Sequence, residues 1–158
     1  MTAGNPVAAG DAVIRFSNTP VLISVRNRVP WRTATMCLIL SRFNKGQARL
    51  DHLHLLTWSV ETQGTRELLK VWLSGQRPMD RATVRIDPEL SATITLGHGL
   101  GLVQITGTRK VQLTSQGKDL AAEVNANDEL FTVEKSFLDG LGALNEARLA
   151  RVLVALAE

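Results

Sequence analysis

"GLVQITGTRKVQLTSQGKDLAAEV", residues 101–124, is the stretch whose reading decides the fold. Two short segments of alternating apolar and polar residues flank a Gly-Thr-Arg-Lys tip, the pattern of two paired strands with one buried face. Gly107 suits the positive φ of a tight turn. Thr114 stands before a helical pattern and offers a hydroxyl to the exposed amides of its first turn. The expectation is strand "LVQI", a turn over residues 106–109, strand "KVQLT", and a helix capped by Thr114.

Working back from the hairpin, Asp87 followed by Pro88 is an N-cap with proline at the first helical position. The helix it opens carries Leu90 and Ile94 and ends in the glycines at 97, 99 and 101. "ATVRI" before it reads as a short strand, and "GQRPMDR" as a loop. Further upstream lie three helical patterns. "WRTATMCLILSRF" places Cys37, Leu40 and Phe43 at helical spacing, with Pro30 at its entry. "ARLDHLHLLTWSVE" sets Leu50, Leu53, Leu56 and Val60 on one stripe, and "RELLKVWLS" is expected to be capped by Thr65 and to stop at Gly75. "DAVIRF" and "VLISVR" alternate and are β-branched, so they read as an N-terminal hairpin after a disordered segment 1–10.

Downstream, two amphipathic patterns close the chain. The first has Leu130, Phe131, Val133, Phe137, Leu138 and Leu141 as its apolar set. The second, capped by Asn145, has Leu149, Val152, Leu153 and Leu156. The organisation expected is an arm and β-hairpin over 1–29, a central domain over 30–124 and a helical extension over 125–158, giving an α+β fold.

Composition narrows the function. The chain has 158 residues, enough to bury a core, and its 44% hydrophobic and 21% charged content suits a soluble protein. Aromatics make up only 4%, with no tyrosine, which argues against a platform that stacks sugars or single-stranded bases. The single Cys37 excludes an internal disulfide and a cysteine-based metal site. No apolar run reaches membrane-spanning length, and "MTAGNPVAAGDAV" lacks the basic start and apolar stretch of a signal peptide, so a cytoplasmic location is expected. Residues 1–86 hold twelve Lys/Arg against five Asp/Glu, and residues 87–158 six against ten. The basic half suits phosphates or an acidic protein surface, and composition does not choose between them.

The order helix, helix, short strand, helix, two-stranded wing, helix resembles a winged helix-turn-helix domain. "LGLVQITGTRKVQLTSQGKDLA" is similar to the wing of such proteins, where Gly-Leu-Val leads into a basic turn and Leu-Thr-x-x-Gly starts the next helix. A longer similarity runs through "RVPWRTATMCLILSRF", "LDHLHLLTWSV" and "RELLKVWLSG" into the wing, over roughly residues 20–124. There the chain resembles the small middle component of bacterial three-component ABC-ATPase systems, the Lamassu-type anti-phage defence group. That resemblance rests on apolar positions and a Leu-x-x-Leu-x-x-Trp core. It implies a kite-like, non-enzymatic subunit bridging an SMC-like ATPase and an effector. The alternative is a winged-helix transcriptional regulator that binds DNA.

The candidate sites follow from charge and apolar pattern. At the wing tip Thr108, Arg109 and Lys110 either contact phosphates or form a solvated turn. Arg26, Arg28 and Arg32 form the densest positive cluster, which reads either as a contact with DNA or an acidic partner, or as strand-end charges paired locally. The helix before the wing has no Lys or Arg between Asp87 and His98, and Arg is the commonest reader of base edges. Sequence-specific DNA binding is therefore disfavoured, and duplex DNA is expected at most as a non-specific partner. Leu149, Val152, Leu153 and Leu156 are the candidate partner-binding stripe, for a second copy or another subunit, with closure over the winged helix as the alternative. His52 and His54 diverge on a helix by about 200°, so a metal site is not expected there; one histidine should be half-buried and the other exposed. "GHGLGLV" precedes a strand, whereas a nucleotide-binding glycine loop follows one. With no Walker, GxSxG or metalloprotease motif, no catalytic residue, cofactor or metal is expected.

Overall fold

The computed structural model describes residues 3–9, 12–17, 29–75, 88–107 and 109–157. Its central helix is α1, Val29–Leu40, in which Thr33 and every residue from Thr35 to Leu40 are buried. A helix apolar all round sits in the middle of its neighbours, and α1 packs against five later elements. The expected stripe of Cys37, Leu40 and Phe43 is therefore too narrow, since Met36, Leu38 and Ile39 are equally enclosed.

The chain leaves α1 through a 3-10 turn at Asn44–Gly46, where Lys45 and Gly46 both adopt left-handed backbone. It then forms a short strand, Gln47–Arg49, of which the sequence reading assigned Ala48 and Arg49 to a helix. The reason is pairing. Gln47, Ala48 and Arg49 lie opposite Gln112, Val111 and Lys110 of the hairpin, so a partner distant in sequence supplies the hydrogen bonds.

Helix α2, Leu50–Val60, follows directly and buries His52, Leu53, Leu55, Leu56, Ser59 and Val60. Helix α3, Gln63–Leu73, is capped by Thr62 rather than Thr65. Thr62 has extended backbone and accepts from the Thr65 amide at 3.1 Å, while the Thr62 amide donates to Thr65 Oγ1 at 3.1 Å. The two threonines form a reciprocal capping box. Trp58 of α2 stacks on Trp72 of α3 at 5.6 Å and 2°.

Helix α4, Pro88–Gly99, carries Leu90 and Ile94 inward. The hairpin matches its expectation: strands Val103–Thr106 and Lys110–Leu113 pair antiparallel, and α5, Ser115–Ala126, is capped by Thr114, whose hydroxyl accepts from the Gly117 amide at 3.2 Å. Gly117 is required by close approach, because any Cβ there would run into the Leu102 carbonyl. The sheet has the strand at residues 47–49 on one edge, residues 110–113 in the middle and residues 103–106 on the other edge. Ala48, Val103, Val111 and Leu113 face the helices and are buried.

Numbered in chain order, the sheet strands are β3 (Gln47–Arg49), β4 (Val103–Thr106) and β5 (Lys110–Leu113). The two earlier strands form the N-terminal hairpin, β1 (Ala3–Ala9) and β2 (Ala12–Ser17). Here the expectation is corrected: residues 3–9, read as disordered, are the partner strand of residues 12–17. The second strand expected over 21–26 lies outside the described residues, as do the strand "ATVRI" and the Asp87 cap.

Helices α6, Thr132–Leu141, and α7, Glu146–Ala157, complete the fold. Asn127–Leu130 forms a turn instead of helix, with the Leu130 amide bonded to the Asn127 carbonyl at 3.2 Å. Leu130 and Val133 are consequently exposed, while Phe137, Leu138 and Leu141 are buried. One hydrophobic cluster runs from α1 to α7, including Leu144, Leu149 and Val152, so the core continues across the boundary expected at residue 124. The molecule is α+β, with seven α-helices and a three-stranded antiparallel sheet among the described residues. None of these helices is long and apolar enough to cross a membrane.

Candidate functional site

Three surfaces bear on function: the hairpin tip, the outward side of α4, and α7. At the tip, Arg109 is exposed and adopts a left-handed φ of 57°. Its carbonyl accepts the Leu50 amide at 2.9 Å, which ties the turn to the start of α2. Lys110 begins β5 and pairs with Glu146 of α7 at 3.4 Å. These residues border a cleft of about 730 Å³ together with Arg49, Asp51 and His54. Arg49, which the sequence reading passed over, pairs with Asp51 at 3.1 Å. Its signal lay in the register, since it stands opposite Lys110 on the neighbouring strand.

Of the expected arginine cluster, Arg32 alone lies among the described residues, and it does not line this cleft. Arg32 lies on α1, and its side chain is only 12% exposed and pairs with Glu89 of α4 at 3.3 Å. Arg26, Arg28 and Thr108 lie outside the described residues. For Arg32, pairing with a local carboxylate is what the structure contains.

The outward side of α4 is uncharged beyond Glu89. Ala92, Thr95, Leu96, Gly99 and Leu100 recur at helical spacing and are all exposed, Leu96 by 39% and Leu100 by 56%. The hydroxyls of Thr93 and Thr95 donate back to the Glu89 and Ser91 carbonyls at 2.9 Å, so their protons are turned to the helix itself. On β4, Ile105 is 60% exposed. The sequence reading noted the missing charge on α4 and missed this apolar outward side, because Leu96 and Leu100 alone do not declare which way they point.

The α7 stripe requires a correction. Leu149 is wholly buried and Val152 is 5% exposed, while Leu153 and Leu156 are half-buried against the same core. These four residues are covered from within the chain, chiefly by α2 and α3, and do not form an open partner surface. Val154 of α7 is a large apolar residue that is exposed, by 61%.

Among the described residues, Cys37 and His52 are titratable groups shifted by burial. Cys37 is buried, and burial pushes its thiol up to about 11, away from the reactive thiolate. His54 is half-buried, and His52 is 1% exposed where an exposed ring was expected, with neither of its ring nitrogens in a hydrogen bond. Burial lowers its pKa most strongly; Asp51 and Glu146 pull it upward, and Arg49 adds to the lowering. Its Nε2 stands 3.9 Å from the Asp51 carboxylate, beyond hydrogen-bond reach. Among the described residues no three His, Cys, Asp or Glu side chains are grouped to hold a metal ion. Comparisons of the chain with protein-family models, with curated proteins and with solved structures find no match.

Proposed function

We propose that this protein is a non-enzymatic, kite-like winged-helix subunit that bridges an SMC-like ATPase and an effector in a bacterial anti-phage defence complex, in the cytoplasm. The winged-helix part of the reading is supported by topology. A strand between α1 and α2 pairs with the second strand of a hairpin that follows a helix, in the order β3-β5-β4. The observation that carries the assembly part is the outward side of α4. In a DNA-reading winged helix, the helix before the wing needs donors and positive charge. Here it offers Leu96 and Leu100, no Lys or Arg, and hydroxyls bonded back to its own carbonyls. An uncharged, apolar helix face suits the centre of a protein interface.

Affinity purification of the tagged chain from its native operon tests the proposal. The wild-type protein is expected to retain an ATPase subunit, and Leu96→Asp with Leu100→Asp to lose it while keeping the wild-type circular dichroism. A folded double variant that retains the ATPase would overturn the assignment of α4. The regulator reading draws on exposed Arg109 at the hairpin tip. It would be established instead by a dissociation constant of about 10 nM for one operator over random duplex, typical of specific regulators.

A further inference from the structure

Cations from four parts of the chain meet in a cleft of about 810 Å³ between the 3-10 turn, α5 and α6. Arg42 comes from just beyond α1, Lys45 from the turn itself, Lys118 from α5 and Lys135 from α6. The cleft lies on the helix side of the sheet, where the buried Leu113 and Ala121 belong to its lining. Two carboxylates, Asp128 and Asp139, share that lining with the four cations and leave it a net charge of +2.

These charges do not all neutralise one another. Arg42 is bound to Asp139 and to the Asn125 carboxamide oxygen, and Lys135 donates to the Asn127 carbonyl. Lys45 and Lys118 are exposed, and neither makes an ion pair among the described residues; nor does Asp128. The two lysines are neighbours across the turn, since a Cβ at Gly46 would stand 3.6 Å from Lys118 Cε. Lys45 holds its place with a left-handed φ of 61°. Glycine adopts that backbone without the steric cost that a Cβ brings. A residue kept in such a conformation points to a use for its side chain.

We infer that this cleft binds an acidic peptide segment of a protein partner, with the segment's carboxylates at Lys45 and Lys118. The two lysines supply the free positive charge. Asn125 gives its oxygen to Arg42 and keeps its N–H₂ group to donate to a main-chain carbonyl of the ligand. Gly46, Ala121 and Ala122 line the cleft with nothing larger than a methyl group, so an extended backbone can approach closely. Asp128 and Asp139 select against a nucleic-acid backbone, whose charge recurs at every phosphate. A peptide can set an uncharged or basic residue opposite them. Among the described residues no aromatic side chain lines the cleft, so unstacked bases find no platform. None of its described lining residues belongs to α4.

The test is anisotropy of a labelled peptide of alternating Glu and Gly against the full chain, at low ionic strength, where exposed charges are screened least. Saturable binding is expected. Lys45→Glu with Lys118→Glu should weaken it at least about tenfold, because like charges brought together at an interface are strongly unfavourable. Lys45→Gln with Lys118→Gln should lie between this variant and wild type. Lys45→Gly suits the left-handed backbone and should lose affinity without lowering the urea midpoint, which separates binding from folding. Lys70→Glu with Arg151→Glu makes the same change of net charge as the first variant at exposed positions on α3 and α7, and should leave most of the affinity. No binding by the wild-type chain would overturn the inference, as would equal losses in the two charge-reversed variants, the mark of a diffuse field. Displacement of the peptide by a short DNA duplex at equal charge concentration would also overturn it and assign the cleft to phosphodiesters. ATPase co-purification through α4 is untouched by each of these results, so the two proposals fail separately.

Discussion

At the scale of single residues, two side-chain environments make measurable predictions. Gly117 sits where the first turn of α5 meets the Leu102 carbonyl, and Gly117→Ala must displace one of them. Overpacking of this kind costs about 2 kcal/mol, read as a lowered midpoint in urea. His52 is the second case. Both its nitrogens are buried without partners, and burial holds its folded pKa below the ordinary value of 6.5. Well above that value the ring is neutral in folded and unfolded chains alike, and it contributes no pH dependence. As pH falls through 6.5 the unfolded chain takes up the proton first, so stability drops until pH passes the folded pKa. His52→Leu should flatten the midpoint–pH curve on the acid side of 6.5. An unchanged slope in that variant would assign the dependence to other groups. Neither environment was legible in sequence. Gly117 was visible only as part of a helix-start phrase, and the burial of His52 depends on the enclosure of α2.

Among the elements, α3 and α7 show how local and distant forces divide. The start of α3 is set by Thr62 and Thr65 together, a purely local device. Thr62→Ala should cost about 1 kcal/mol, measured by thermal or urea unfolding, and should leave the remaining helices in place. For α7 the periodicity of Leu149, Val152, Leu153 and Leu156 identified a buried face but not what buries it. An intramolecular neighbour and a second subunit impose the same spacing on a helix. Because Leu149 is fully enclosed, Leu149→Ala should destabilise the isolated chain by about 3 kcal/mol at any protein concentration. A loss that disappears at high concentration would indicate that self-association covers this stripe. Strand β3 was missed for a related reason: three residues have no period of their own, and their partner lies more than sixty residues away.

Across the whole molecule, the exposed apolar side chains Leu96 and Leu100 stand on a helix, α4, that carries no Lys or Arg. Raising salt screens exposed charges and leaves apolar burial intact. ATPase retention through α4 is therefore expected to survive an increase from low to physiological salt. Pull-down over a salt series checks this, and loss of the ATPase at physiological salt would make the contact an electrostatic one.

The sequence by itself determined what neighbours along the chain can enforce. The hairpin with its basic turn, the Thr114 cap, the start of α4 at Pro88 and the lack of Lys or Arg in that helix all depend on residues a few positions apart. Sequence spacing also ruled out the glycine fingerprint at residues 97–101. Only the tertiary structure decided what distant residues do to one another: β3 as the edge of the sheet, Arg32 turned to Glu89, Leu149 and Val152 closed into the core, and Lys45 brought beside Lys118. Periodicity tells a helix which face to bury, and charge tells a surface what it can attract. Which element covers that face, and which carboxylate takes that charge, is settled only when segments far apart in the chain pack together.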